Sequence, residues 1–336
     1  MIRFYEVEKW ERQSIIDAFG DEAELFKYPL TAENADKCSD CDVISTFIYS
    51  QLDKAALDKL PNLRFIATRS TGFDHIDLDE CARRGILVAT VPRYGDETVA
   101  EHTFALVLAL AKKIVPSVDR TRRGDFSFKG LNGFELAGKT LGIVGTGKIG
   151  LNVARIGTGF RMNLIAYDKF PNEAAARGLG IRYVGYEDLL READVITYHV
   201  PEVPETHHML NSGNIGLLKP NCVVINTARG SVIETRALVR ALSEGRIGAA
   251  GLDVVEEEPV IREERELVSS LFREAHDLGP ILSGQILLRF NNVIITPHNA
   301  FNTDEAVQRI LDTTVENIRS FQRGEPANVV PSLQHA

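Results

Sequence analysis

Gly145, Gly147 and Gly150 stand in the segment Leu141-Gly142-Ile143-Val144-Gly145-Thr146-Gly147-Lys148-Ile149-Gly150 with the spacing G-x-G-x-x-G. Each position suits one step in holding a dinucleotide. Gly145 permits a tight turn, Gly147 lets the backbone approach a pyrophosphate, and Gly150 lets a helix pack close to a strand. The helix that follows would turn its free N–H groups and positive dipole end toward the phosphates. An apolar run precedes the motif and a helical pattern (Asn152–Phe160) follows it. A second apolar run, Asn163–Tyr167, then ends at Asp168. Asp168 lies 18 residues after Gly150, near the spacing at which a carboxylate takes the adenosine ribose hydroxyls. A carboxylate there repels a 2′-phosphate, so NAD is the expected cofactor over NADP. Lys169 next to it weakens that preference.

The elements that must position these residues alternate along the chain. Strands are expected at Ile2–Val7, Cys41–Ile48, Arg64–Thr68 and Ile86–Ala89, with helical stretches such as Asp53–Leu60 and Leu78–Arg84 between them. A second series follows at Thr140–Val144, Asn163–Tyr167, Val195–His199, Cys222–Asn226, Ala249–Val254 and Val293–Thr296. These runs are nearly continuously apolar, as strands buried on both faces require. Strand–helix alternation of this kind predicts an α/β fold with parallel sheets, and six such strands match a doubly wound sheet. Two long helical segments, Val99–Val115 and Thr303–Arg323, flank the second series. The chain is therefore expected to return to its first domain at the end. Its 336 residues fit about two domains on a scale of roughly 100–200 residues each.

Composition narrows the function classes. Apolar residues make up 44% and charged residues 25%, with a formal net charge of −9. Nucleic-acid binding is not expected, because it demands a basic patch. The apolar run Phe104–Ala111 is far short of the roughly 20 residues that span a bilayer. The N-terminal residues read as a strand, not as an export signal, so a cytoplasmic protein is expected. Cys38 and Cys41 form a single C-x-x-C, but no second pair completes a zinc ligand set. His199, His207 and His208 lack metal-ligand spacing partners. No metal site is expected.

Beyond the glycine motif, the chain resembles the D-isomer-specific 2-hydroxyacid dehydrogenases, most closely the D-lactate dehydrogenase branch. The resemblance rests on Arg69-Ser70-Thr71-Gly72-Phe73-Asp74-His75-Ile76-Asp77, Val91-Pro92-Arg93-Tyr94, Val99-Ala100-Glu101-His102 and His199-Val200-Pro201. It continues through Asn226-Thr227-Ala228-Arg229-Gly230, Gly251-Leu252-Asp253-Val254, Glu258-Pro259 and Thr296-Pro297-His298-Asn299-Ala300. It implies an α/β fold of two domains. Residues 99–298 would form a Rossmann NAD-binding domain; 1–98 and 299–336 would form a smaller flavodoxin-like substrate domain. It also implies hydride transfer between NAD(H) and a small 2-oxo acid or D-2-hydroxy acid, foremost pyruvate and D-lactate. Hydroxypyruvate, glyoxylate or phenylpyruvate reduction, or an NAD-responsive scaffold like the related corepressors, are the alternatives.

The family's catalytic residues fall on Arg229, Glu258 and His298. Imidazole titrates near neutral pH, so His298 can give a proton to the carbonyl oxygen as hydride arrives. Glu258 would stabilise the imidazolium. Arg229 offers a permanently charged planar fork to the substrate carboxylate. The resemblance adds Lys148, Ile149, Val200, Pro201, Thr206, Thr227, Ala228 and Asp253 along the dinucleotide, and Thr71, Gly72 and Tyr94 on the substrate side. His102 is expected to be structural, and the helix Val99–Val115 to lie at a homodimer interface. Phe301-Asn302 replaces the branch's usual aromatic pair. The 40 residues from Glu258 to His298 include an expected surface helix, Val260–Glu274, and an insert whose residues carry no assigned role.

Overall fold

In the computed structural model, which describes residues 1–256 and 278–331, the apolar runs become short parallel strands. The chain divides into two units. One contains Met1–Tyr94 and the described residues from Asn302 onward; the other contains the described residues of Gly95–Phe301.

The first unit has β1 (Ile2–Phe4), β2 (Ala23–Leu25), β3 (Val43–Thr46), β4 (Phe65–Thr68) and β5 (Leu87–Ala89). They pair in the order β2-β1-β3-β4-β5, parallel throughout. This is the flavodoxin-like doubly wound order. Helix Asp304–Gln322 belongs to this unit. Thr303 caps it through the Ala306 amide, and Asp304 and Glu305 sit in its first turn, where they complement the dipole. Its buried face, Ala306, Val307, Ile310, Leu311, Thr314 and Ile318, follows the 3–4 spacing of an amphipathic helix. Phe321 stacks on Phe65 of β4 at 4.4 Å between ring centroids.

The second unit has β6 (Thr140–Val144), β7 (Asn163–Tyr167), β8 (Arg182–Tyr183), β9 (Val195–Tyr198), β10 (Val223–Asn226), β11 (Ala249–Leu252) and β12 (Val293–Ile295). Their order is β12-β11-β10-β9-β6-β7-β8, all parallel. Counted from β6, this is the Rossmann order 3-2-1-4-5-6 with one strand added. The order reverses between β6 and β9, which is where such sheets bind ligands. Strands β9, β10 and β11 are buried at every position, which explains their unbroken apolar character.

Two strands escape the sequence pattern. β2 (Ala-Glu-Leu) and the two-residue β8 are edge strands, too short to show a periodicity, and pairing with β1 and β7 alone makes them strands. The expected helix Val99–Val115 is two helices, Thr98–Ala111 and Ile114–Arg122, separated by Lys113 at φ +54°. The apolar pattern runs on through Ile114 and Val115, but the Ala111 carbonyl accepts the Phe134 amide at 2.9 Å. Residues 133–134 cross the helix end there and stop it. The expected helix Val260–Glu274 lies outside the described residues. Among the described residues no helix is long and apolar enough to cross a membrane.

Candidate functional site

The glycine motif forms the turn that its spacing predicts. Gly145 follows β6 at φ +92°, and a Cβ there would stand 2.5 Å from the His199 carbonyl oxygen. Only glycine meets both conditions. Gly147 precedes helix Lys148–Gly159, and a Cβ on it would point into open space. That leaves a bare backbone at the helix N-terminus, the cradle a pyrophosphate needs. Gly150 lies so close to the turn that a Cβ would come within 2.0 Å of the Gly145 carbonyl oxygen. Lys148 and Ile149 open the helix at this point, and the Val200 side chain packs against Gly145.

Asp168 follows β7. Its Oδ2 accepts the Thr146 amide (2.6 Å) and hydroxyl (2.9 Å), and its Oδ1 accepts the Phe170 amide (2.8 Å). The carboxylate is thus tied to the glycine turn itself. Tyr183 adds a hydroxyl contact to Thr146 at 2.8 Å and accepts the Asn172 amide. The Lys169 ammonium is engaged by Glu205 at 3.2 Å. The nearest cation to Asp168 in sequence is therefore already matched by an acid.

The loops after β9, β10, β11 and β12 leave the same edge of the sheet, because all the strands are parallel. After β9, Thr206 donates to the Pro201 carbonyl at 2.6 Å and accepts the Val203 amide at 2.9 Å, bracing that loop. His199 is held by Thr197 Oγ1 at 3.0 Å through Nε2, while its buried Nδ1 has no partner among the described residues. Burial pushes its imidazole down to about 3, so the ring is neutral at neutral pH. After β10, the buried Asn226 side chain accepts the Ala228 amide and donates to the Arg229 carbonyl. One side chain thereby fixes the Thr227–Arg229 turn from both ends. Thr227 meets Thr103 of helix Thr98–Ala111 at 3.0 Å. Arg229 is extended at φ −141°, with Nη1 donating to the Ala228 carbonyl. A Cβ on Gly230 would come 2.2 Å from the Val255 backbone, so the loops after β10 and β11 pack directly together.

His298 sits just beyond β12 at φ +52°, a conformation uncommon for non-glycine residues. Its amide donates to the Asp253 carbonyl at 3.0 Å. The Asp253 carboxylate, expected along the dinucleotide, is 1% exposed. It accepts the Thr296 hydroxyl and the Asn299 amide on Oδ1 and the Ala300 amide on Oδ2. It therefore wraps the turn that carries His298. His102 Nε2 lies 3.1 Å from Thr296 Oγ1. Glu256, in the acidic run after β11, holds His208 at 2.5 Å and accepts the Thr235 amide. Glu258 lies outside the described residues. Sequence reasoning missed Asn226, Glu256 and the supporting part played by Asp253. Asn226 was visible only as the first residue of a family motif at the end of an apolar strand, and Asp253 only as an expected dinucleotide residue.

In the first unit, Thr71 and Gly72 form a turn beyond β4. Thr71 donates to the Val91 carbonyl (2.8 Å) and Ser70 to the Gly72 carbonyl (2.5 Å). Arg69, 1% exposed, fixes the base of this turn through the Tyr5 and Glu6 carbonyls, Ser45, and an ion pair with Glu11. Tyr94 closes the segment, and its carbonyl accepts two hydrogen bonds from Arg309. Cys38 and Cys41 are fully buried, and Cys38 points its thiol at the Ala35 carbonyl. Among the described residues no group of three or more His, Cys, Asp and Glu side chains could hold a metal ion.

A Rossmann sheet with its glycine turn, a carboxylate tied to that turn, and an arginine and a histidine at the same edge is an arrangement suited to a dinucleotide-dependent oxidoreductase. Residues 104–300 match the family profile "D-isomer specific 2-hydroxyacid dehydrogenase, NAD binding domain". The chain is 36% identical over 318 residues to a D-lactate dehydrogenase of Escherichia coli K12, covering 93% of each chain. It is 35% identical to a glyoxylate reductase of Thermococcus litoralis, covering 98% of this chain and 91% of that one. Among solved structures it matches the D-lactate dehydrogenase of Aquifex aeolicus complexed with NAD and lactic acid. That match has a TM-score of 0.86 and 38% identity, over 97% of this chain and 96% of that one. The protein belongs to the D-isomer-specific 2-hydroxyacid dehydrogenase family. It is an NAD-linked enzyme of 2-hydroxy acids.

Proposed function

We propose that the protein reduces pyruvate to D-lactate, with Arg229, Glu258 and His298 as its catalytic residues. The observation that carries this reading is the placement of Arg229 beyond β10 and His298 beyond β12, on the sheet edge that also bears the Gly145–Gly150 turn. Ligands of open α/β sheets bind at that edge. Bound NADH supplies the hydride for the carbonyl carbon. As that carbon gains its electron pair, negative charge grows on the carbonyl oxygen, and His298 places a proton there. Glu258 stabilises the imidazolium before transfer, and Arg229 holds the substrate carboxylate. In the oxidative direction His298 takes the hydroxyl proton back. Thr71, Gly72 and Tyr94 of the first unit supply the substrate side. The bare helix N-terminus at Gly147 fits the pyrophosphate, and Asp168 fits the ribose. Val200, Pro201, Thr206, Thr227 and Ala228 line the dinucleotide.

The Thermococcus relative, a glyoxylate reductase, favours glyoxylate as the second candidate. Phe301-Asn302 is the sequence feature that alters the substrate end. The test is NADH and NADPH oxidation by purified protein with pyruvate, phenylpyruvate, 2-oxoisocaproate, hydroxypyruvate and glyoxylate. Highest kcat/KM for pyruvate with NADH is the expected result; a higher value for glyoxylate would reassign the substrate.

The assembly we propose is a homodimer, formed through the segment after helix Thr98–Ala111. Ile114, Val115 and Val118 are exposed there, and Phe126 and Phe128 are 82% and 86% exposed. The clustering of these exposed apolar side chains within residues 114–128 supports that reading. Light scattering of the wild type should give twice the chain mass, and a Phe126→Ser/Phe128→Ser variant should shift toward the monomer. A cytoplasmic location accords with four buried cysteines that are all free thiols.

A further inference from the structure

One turn of helix Thr98–Ala111 touches two of the loops that carry the site. Thr103 donates its hydroxyl to the Val99 carbonyl and meets the Thr227 hydroxyl of the loop after β10. His102, its neighbour, meets Thr296 at the end of β12. The helix is itself fixed by Val99, Ala100, Phe104, Val107 and Leu110, all buried. It is a rigid base of the kind that can hold a reacting group to a fraction of an ångström.

The hydrogen bonds around His102 admit one consistent order. Thr296 has a single hydroxyl proton, and its Oγ1 lies 2.5 Å from Asp253 Oδ1. A carboxylate only accepts, so Thr296 donates to it. The 3.1 Å contact between Thr296 Oγ1 and His102 Nε2 then runs the other way, with His102 donating. The chain reads His102 Nε2–H to Thr296 and Thr296 to Asp253, which also accepts the Asn299 and Ala300 amides. It ends on the two residues directly after His298. His102 Nε2 is also 3.5 Å from Asp253 Oδ1, and among the described residues it is the one basic group within ion-pair distance of that buried carboxylate.

We propose that His102 is a positioning residue: through Thr296 and Asp253 it fixes the turn that presents His298 to the substrate carbonyl. The inference rests on the reading of His298 as the proton donor. Without the His102 donor, Thr296 Oγ1 loses one of its two anchors, and the carboxylate that clamps residues 299 and 300 loses its nearest basic neighbour. A backbone held at φ +52° for His298 persists only while its surroundings enforce it.

The experiment compares His102→Leu, His102→Gln, Thr296→Val and His102→Leu/Thr296→Val in NADH-dependent turnover, alongside His298→Asn. Glutamine can place an amide N–H where Nε2–H stands. His102→Leu should lower kcat by about 10- to 100-fold, the loss typical of a reacting group misplaced by about 1 Å. KM for the 2-oxo acid and the Kd for NADH should change by less than about threefold, because this turn binds neither uniformly. His102→Gln should recover most of the lost kcat. The double variant should be no slower than the slower single variant, because both changes break one chain. Wild-type kcat in His102→Leu, additive losses in the double variant, or no recovery with glutamine would each overturn the proposal. Should His298→Asn keep full turnover, the proton-donor reading itself fails. Should it lose turnover while His102→Leu does not, only the positioning inference fails.

Discussion

Replacing Asp253 by asparagine changes one atom and tests how the His298 turn is held. The buried carboxylate accepts three hydrogen bonds, from the Thr296 hydroxyl, the Asn299 amide and the Ala300 amide. Asparagine has one oxygen and one NH2 group. With its oxygen on the Thr296 and Asn299 side, its NH2 faces the Ala300 N–H, donor against donor. The opposite orientation sets the NH2 against the Asn299 N–H and forces the Thr296 hydroxyl to turn from donor to acceptor, so the first is preferred. It loses one charge-assisted bond, worth about 1.5–3 kcal/mol, and reduces two others to neutral strength. Burying a neutral amide in place of a charge offsets part of this, leaving about 2–4 kcal/mol. If half of this is felt as loosening of His298, kcat should fall by roughly 5- to 30-fold. NADH affinity should stay within about twofold, since the Gly145–Gly150 turn belongs to β6 and not to this network. The apparent Tm should drop by roughly 5–10 °C. Steady-state NADH oxidation, NADH fluorescence titration and a thermal melt read the three quantities. A variant with wild-type kcat would refute the claim that Asp253 holds the catalytic turn. One that loses NADH binding in proportion to kcat would show that the carboxylate serves the cofactor instead.

Three further outcomes follow from the second unit. Asp168→Ala removes the carboxylate that opposes a 2′-phosphate, a repulsion of about 1–4 kcal/mol at contact. The ratio of kcat/KM for NADPH over NADH should rise about tenfold or more, and an unchanged ratio would remove Asp168 from cofactor choice. Gly150→Ala places a methyl group 2.0 Å from the Gly145 carbonyl oxygen. The resulting shift should weaken NADH binding about tenfold and lower Tm, as overpacking does; wild-type affinity in a titration would show that the helix and turn can separate freely. Burial holds the His199 imidazole at about 3, below its unfolded value of about 6.5. Its folded state therefore binds fewer protons than the unfolded state between those values. Stability should fall as pH drops from about 6.5 toward about 3, by up to about 1.4 kcal/mol per unit. His199→Asn should flatten that slope in denaturant titrations; an unaltered slope would place the uptake elsewhere.

The sequence by itself determined the class of fold and the cofactor turn. Runs such as Val223–Asn226 are apolar throughout because both faces are buried. Gly145 and Gly150 are glycines because a Cβ in either place meets a backbone carbonyl. Both signals are local, so a linear reading recovers them. Residue types and family motifs also pointed to Arg229 and His298. Tertiary structure alone made strands of β2 and β8, which lack any pattern of their own. It ended a helix at Ala111 by bringing residue 134 to its last carbonyl. It also decided what surrounds His298: Asp253 reaches across 43 to 47 residues to hold the turn, and His102 across 194 to reach Thr296. Aspartate after an apolar strand and histidine on an apolar helix carry no mark of such partners in their immediate sequence. A hydrogen bond depends on positions that only the packed sheet and helix bring together.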